Sequence, residues 1–311
     1  GRCVYRFEQN PRCKRGEGIM SNREKPKVST SALGTCIMGA TSYYEDSSYY
    51  KSDDFMAPQM IPAGMKVAVK YKLLRNILKK AIFKVPGIYE YVIARTKFID
   101  AVFNASLENI EQVVLLGAGF DSRAIRFKQQ LENAKIFELD SLATQEAKLD
   151  KLQKMGVTVP NNVSYIAIDF NRESMAEKLA QASFQKNKTC LFLLEGLTYY
   201  LEKEAIESTM QMISDHCAQG SRLVFDYADA AIAKQIMDVD EEGIKRLQRD
   251  LAKAGETPDF LMEETIQDYL RKYNFSVIEE ASSAELANRY FKQNDFLLNA
   301  QRFKLVSAVK R

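Results

Sequence analysis

The chain has 311 residues, 46% of them hydrophobic and 27% charged. That is close to the globular norm, so general disorder is excluded and one large domain or two small ones are allowed. The formal net charge of +3 is near neutral for this length and excludes the broad basic footprint of a nucleic-acid binder. Five scattered cysteines without a CxxC pair argue against a metal site or a disulfide scaffold, and for a reducing, cytoplasmic setting.

In chain order, residues 1–28 mix Arg, Cys, Gly and polar residues with little periodicity. They read as a flexible tail or a cloning remnant, and lack the apolar stretch of a secretory signal. Residues 29–108 carry helical periods and few strand-like runs, which predicts a helical cap. Within it, one helix is predicted from Ala63 to Val85. Val67, Tyr71, Leu74, Leu78, Ala81 and Val85 fall along one side, and Lys66, Lys70, Arg75, Lys79, Lys80 and Lys84 fill much of the rest. Pro86-Gly87 punctuates the chain, and Ile88 to Phe103 predicts a second helix.

Residues 109–311 alternate short apolar runs with amphipathic stretches. Strands are predicted at Gln112–Leu116, Lys135–Leu139, Val163–Ile168, Thr189–Leu194 and Ser221–Tyr227. Helices are predicted between them at Ser122–Leu131, Leu142–Lys154, Met175–Ala182 and Lys203–Cys217. Such alternation means a parallel sheet covered on both faces, an α/β, Rossmann-like core. Residues 228–258 are charged and helical and read as an insertion. A helix at Glu263–Tyr273 and strands at Phe275–Ile278 and Phe303–Val309 complete the chain. No run of about eighteen apolar residues exists, so no transmembrane segment is expected.

The acidic residues carry the functional signal. Asp140, Asp169 and Glu195 each fall just past the end of a successive strand, the edge at which open α/β sheets bind ligands. Gly117 and Gly119 at the end of the first strand allow the backbone to approach a ligand. An acid at the end of the second strand accepts hydrogen bonds from ribose hydroxyls, and one at the third suits an adenine amino group. The dinucleotide fingerprint G-x-G-x-x-G is incomplete, because Gly117-Ala118-Gly119 is followed by Phe120-Asp121-Ser122. Asp121 also stands where a pyrophosphate would approach the helix. A sulfonium ligand has neither conflict, which favours S-adenosyl-L-methionine, leaving S-adenosyl-L-homocysteine as product, over a nicotinamide cofactor.

The run Val113-Val114-Leu115-Leu116-Gly117-Ala118-Gly119-Phe120-Asp121-Ser122-Arg123 resembles the glycine segment of the leucine carboxyl methyltransferase superfamily. Further matches are Phe137-Glu138-Leu139-Asp140, Ile168-Asp169-Phe170, Glu195-Gly196-Leu197-Thr198-Tyr199-Tyr200-Leu201, and upstream Ala94-Arg95-Thr96-Lys97-Phe98-Ile99-Asp100. Their order and spacing agree from about Ser29 to the C-terminus. The resemblance implies a class I methyltransferase sheet, mostly parallel with an antiparallel C-terminal strand. It also implies that Arg95 pairs with the carboxylate of the cofactor's methionine part, flanked by Gly117, Ala118 and Gly119. Asp140 would hold the ribose, Asp169 and Phe170 would frame the adenine, and Glu195 would lie near the methionine ammonium.

The carboxyl methyltransferases of that superfamily carry a basic residue near Thr35-Cys36-Ile37-Met38, and this chain has none there. A small-molecule O-methyltransferase, nearer to the tetracenomycin-type polyketide enzymes, is the closer resemblance. Methyl transfer from a sulfonium is direct displacement, so alignment of the reactants is the main demand. No base is identified: His216 falls far from the strand ends, while Tyr199 and Tyr200 are catalytic candidates. Tyr43, Tyr44 and Tyr200 are candidates for orienting a substrate. The rival readings are a protein carboxyl methyltransferase, a nicotinamide-dependent oxidoreductase, and a non-catalytic module acting at a membrane surface or on a partner through the 63–85 helix. Oligomeric state is not legible.

Overall fold

A computed structural model describes residues 28–83, 85–239, 249, 260–291 and 300–311. The predicted tail, apart from Val28, and residues 240–248 and 250–258 of the predicted insertion lie outside the described residues. The sheet has seven strands: β1 (Gln112–Leu116), β2 (Lys135–Asp140), β3 (Val163–Ala167), β4 (Cys190–Leu194), β5 (Arg222–Ala228), β6 (Phe275–Ser282) and β7 (Phe303–Lys310). Their order is β3-β2-β1-β4-β5-β7-β6. Only β7 runs antiparallel to its neighbours, between β5 and β6. This is the mostly parallel class I methyltransferase sheet with its antiparallel C-terminal strand, and strand order reverses beside β1.

The central strands are buried on both faces, which is why they read as unbroken apolar runs. Val114, Leu116, Phe137, Phe192 and Phe225 point to one face, packed by α8 (Met175–Gln181), α9 (Lys203–His216) and α11 (Ile266–Arg271). Val113, Leu115, Ile136, Leu193 and Val224 point to the other, packed by α5 (Ile88–Ser106) and α12 (Ser283–Tyr290). The cap comprises α1 (Thr30–Tyr43), α2 (Ala57–Met60), α3 (Ala63–Lys70) and α4 (Lys72–Ile82). Its core of Cys36, Ile37, Ala40, Met60, Ile61 and Val69 joins Phe120 and Leu152, the latter on α7 (Leu142–Lys154), so the cap packs on the glycine turn and on α7. The insertion begins as α10 (Ala230–Val239).

Two predicted helices are corrected. The 63–85 helix is broken at Tyr71, whose ψ of 126° is extended. Arg75 explains the break: its guanidinium is buried and donates to the carbonyls of Val69 at 3.1 Å and Lys70 at 3.4 Å, capping the end of α3. The predicted 122–131 helix is reduced to α6 (Arg123–Arg126), because Arg123 and Arg126 both reach Asp100 on α5. Short helix α12 was not anticipated. Its start is fixed by a capping box between Ser282 and Glu285.

Beneath the cap, Glu138 on β2 and Lys148 on α7 form a fully buried pair at 2.5 Å, and Glu138 Oε1 has no partner. Burial raises the Glu138 carboxyl from 4.5 to about 7, despite Lys148. A raised folded value means the native state holds the proton longer than the unfolded chain. Stability from this group therefore falls as pH rises from about 4.5 through 7, and is level above that. Lys148→Met removes the group that holds the Glu138 carboxyl down. It is expected to cost up to about 3–5 kcal/mol at pH 8, where the buried carboxyl must keep a proton that the unfolded chain releases, and less at pH 5. Urea melts at the two pH values check this.

Candidate functional site

The register of the parallel strands brings the predicted residues to one edge. Leu116 lies level with Leu139 on one side and Leu194 on the other, so Gly117, Asp140 and Glu195 emerge together at the carboxyl ends. Asp140 lies level with Ala167, and Asp169 follows two residues later on the neighbouring strand.

Asp140 is clamped. One carboxylate oxygen accepts the Gly119 N–H at 2.7 Å, and the other accepts the Ser141 N–H at 2.7 Å. Burial pushes its carboxyl up, while these hydrogen bonds pull it down. Gly117 and Gly119 both have positive φ, 64° and 47°, and make the turn that aims the amide at Asp140. The glycines are closely covered: added Cβ atoms would lie 3.0 Å from Leu197 at Gly117 and 3.1 Å from Ala32 at Gly119. The first turn of α1 thus lies across the glycine turn, held by the Ser29 N–H donating to Thr144 Oγ1 at 3.1 Å.

Asp121 settles the next N–H. Its Oδ1 accepts the backbone N–H of Arg123, the first residue of α6, at 2.7 Å, and its Oδ2 pairs with the Arg123 guanidinium at 2.5 Å. Burial raises the Asp121 carboxyl, yet Arg123 and Lys148 carry it below its usual value. A carboxylate therefore already fills the position an incoming pyrophosphate would need.

The second half of the site is a buried network that sequence reading saw only in part. Asp226, in the middle of β5, is fully buried. Its Oδ2 accepts from Arg95 Nη1 at 2.9 Å, Tyr91 Oη at 3.0 Å and Tyr199 Oη at 3.2 Å; its Oδ1 accepts the Gly196 N–H at 2.6 Å. Glu195 accepts from Arg95 Nε at 3.2 Å, Thr96 Oγ1 at 3.3 Å and Arg123 Nη1 at 2.8 Å. Burial disfavours both guanidinium charges, but the surrounding acids, Asp226 first for Arg95 and Asp121 first for Arg123, hold them firmly protonated. Among the described residues, Nη2 of Arg95 and of Arg123 donates no hydrogen bond.

Gly196 is the network's steric key. Its φ is +67°, and a Cβ there would lie 3.0 Å from Arg95 Nη1. Gly196→Ala is expected to cost about 1–2 kcal/mol for the left-handed backbone alone, and to push the Arg95 guanidinium aside. A lowered melting temperature together with weakened ligand binding checks this.

Other expected residues stand differently. The Tyr199 hydroxyl is committed to Asp226 and also accepts from Arg95 Nη1 at 3.0 Å. Burial and Asp226 drive its pKa far upward, so this catalytic candidate keeps its proton and does not act as a base. Tyr200 packs on Tyr199 with ring centroids 4.9 Å apart. Asp169 is exposed, accepting the Asn171 N–H at 3.1 Å, and has no described contact with Asp140 or Glu195. Phe170 packs toward α8 and α9, lining a hollow with Met175, Ala205 and Met212. Tyr43 and Tyr44 meet edge-to-face at 5.2 Å, Tyr44 against the cap core, with no described contact to the strand ends. His216 ends α9 at the opposite edge of the sheet, its Nδ1 2.9 Å from the Met212 carbonyl. Asp226 itself carried a readable signal, an acid inside the apolar run Leu223–Ala228.

Comparison with known proteins gives the fold and the family. A Bacillus subtilis (strain 168) protein named "Putative S-adenosyl-L-methionine-dependent methyltransferase YktD" is 32% identical over 141 residues, covering 45% of this chain and 46% of its own length. A Mycobacterium marinum protein bearing the same description is 36% identical over 138 residues, 44% of each chain. The chain thus spans about half the length of the curated relatives it matches. Among solved structures, a "putative methyltransferase" from Thermobifida fusca YX superposes with a TM-score of 0.57 at 16% identity, over 92% of this chain and 96% of that one. A DUF574 family protein from Streptomyces avermitilis superposes at 0.58 and 11% identity, over 92% and 98%. These two likenesses establish the fold. The sequence profile of leucine carboxyl methyltransferase matches residues 32–214, more than half of the chain, from within α1 to within α9. The chain belongs to the leucine carboxyl methyltransferase family.

Proposed function

We propose that the protein is an S-adenosyl-L-methionine-dependent methyltransferase acting on an oxygen of a small hydroxylated or carboxylated metabolite. The observation that carries this reading is the pairing of two carboxylates at one turn. Asp140 is clamped by Gly119 at the end of β2, while Asp121 already occupies the anion position at α6. The first suits ribose hydroxyls; the second refuses a pyrophosphate, and so disfavours a nicotinamide dinucleotide. The names of the relatives support the same cofactor.

The donor set fits the cofactor. Asp140 retains acceptor capacity for the ribose, and exposed Asp169 offers a carboxylate for the adenine amino group. Phe170 would sit beside the base. Arg95 Nη2, and Arg123 Nη2 with it, are the donors for the methionine carboxylate. Glu195, shared between the two guanidiniums already paired with Asp226, Asp121 and Asp100, leaves an excess of negative charge that would suit the ammonium. Bound here, the cofactor would supply an electrophilic methyl group.

The chain's own contribution is to hold and align. Asp226 and Tyr199 fix the Arg95 fork, and α1 closes over the glycine turn to exclude water. With Tyr199 locked as a donor, the reading that needs no base is a carboxylate or an acidic hydroxyl acceptor. The test is transfer of an isotopically labelled methyl group to matched phenol and carboxylic acid acceptors. A base-stable labelled ether indicates hydroxyl chemistry, and a base-labile ester indicates carboxylate chemistry. Transfer to nitrogen or carbon acceptors alone would overturn the oxygen assignment.

A further inference from the structure

We infer that α3 and α4 form a docking surface for an anionic lipid bilayer. This does not rest on the methyl-transfer reading and would survive its failure. The segment Ala63–Ile82 contains Lys66, Lys70, Lys72, Arg75, Lys79 and Lys80 and no Asp or Glu. Met65, Val69 and Leu78 face the cap core, while Val67, Tyr71, Leu73, Leu74, Ile77 and Ile82 are all exposed, Leu73 at 74% and Ile77 at 57%.

The cause is electrostatic. Arg75 is buried against the end of α3 and lies near Glu45 and Asp46 at 3.9 and 3.7 Å. Lys79 reaches Glu45 at 2.7 Å and lies over the Tyr89 ring at 4.6 Å. The polar side of α4 is thereby fastened to the protein, which rotates Leu73, Leu74 and Ile77 away from it. A segment that spends Arg75 and Lys79 on anchoring and leaves six large apolar residues exposed carries more outward apolar surface than an ordinary surface helix.

Charge selects the occupant. Lys66, Lys70 and Lys80 are exposed beside the apolar residues and have no ion-pair partner among the described residues. A second copy would set one all-basic segment against another. Residues 1–27 are no better, with eight Lys and Arg against three Glu. The partner is anionic. The outward face belongs to two short successive helices and presents aliphatic residues flanked by lysines, with Tyr71 at the junction. That is the composition of a helix lying in a membrane interface, where lysine stems reach past the acyl boundary to the headgroups. No described helix is long and apolar enough to cross the membrane, so this is a surface contact.

The experiment is sedimentation of the full chain with phosphatidylcholine vesicles, with and without phosphatidylglycerol. Binding is expected to the anionic vesicles, to weaken with salt, and to fall at least about tenfold in the Leu73→Glu/Ile77→Glu variant. Each of Lys66→Gln, Lys70→Gln and Lys80→Gln is expected to weaken it about fivefold. Leu73→Ser/Ile77→Ser, with an unchanged melting temperature, guards against loss of fold. Four results would overturn the inference: no binding to anionic vesicles, binding indifferent to these variants, a dimer dispersed by the double variant, or retention on polyglutamate but not on vesicles.

Discussion

Asp140→Ala is expected to lower affinity for S-adenosyl-L-homocysteine by about a hundredfold or more while leaving the fold intact. The magnitude follows from two lost hydrogen bonds between a carboxylate and the ribose hydroxyls, about 1.5–3 kcal/mol each. Asp140 lies at the sheet edge and its protein partners are uncharged, the Gly119 and Ser141 amides and the Ser141 hydroxyl. Truncation therefore orphans no ion, and its fold cost is confined to the buried Gly119 N–H, about 1–3 kcal/mol. Asp140→Asn keeps an acceptor for the Gly119 N–H and loses only the charge; its affinity is expected between the two. Isothermal titration with a parallel thermal melt reads both effects. Unchanged affinity in Asp140→Ala would remove the nucleoside from this edge.

The largest stability effect is expected at Asp226. Truncation to Ala leaves Arg95 buried with only Glu195 as a counter-charge, and strands the hydroxyls of Tyr91 and Tyr199. A cost of about 3–5 kcal/mol follows, the usual loss when one partner of a buried ion pair is removed. Asp226→Asn retains an acceptor for Gly196 and is expected to cost clearly less. Removing both charges together, in Asp226→Leu/Arg95→Met, is expected to cost less than the sum of the two single changes, because each otherwise orphans the other. Chemical denaturation of the four chains closes the cycle. Additive losses would mean that Asp226 and Arg95 act independently.

Comparison of sequence and structure divides along physical lines. The strands were legible because a parallel strand buried on both faces leaves a continuous apolar run, and Gln112–Leu116 and the helix Leu142–Lys154 came out with the bounds the structure has. Asp140 and the Gly117–Gly119 turn were legible for a related reason, since residues just past such runs must lie at one sheet edge. Features set by long-range charge pairing were not legible. Periodicity marked residues 63–85 as amphipathic but not which of their apolar residues stay exposed, because Glu45, far along the chain, helps decide which side of α4 faces inward. The break at Tyr71 lacks a glycine or proline and depends on Arg75 folding back. Arg123 stood inside the quoted glycine segment without a role, because its partners Asp100 and Glu195 come from other elements. Tyr199 reads from sequence as a catalytic candidate of unassigned role beside Glu195, and only the hydroxyl's contacts reveal that it holds Arg95 in place.

The most direct test of the nucleoside assignment is a crystal structure of the chain grown with S-adenosyl-L-homocysteine. The predicted result is density for adenosine between the ends of β2 and β3, with its ribose hydroxyls on Asp140 and its amino-acid carboxylate on Arg95. Density elsewhere, or Asp140 facing solvent beside a bound ligand, would contradict it.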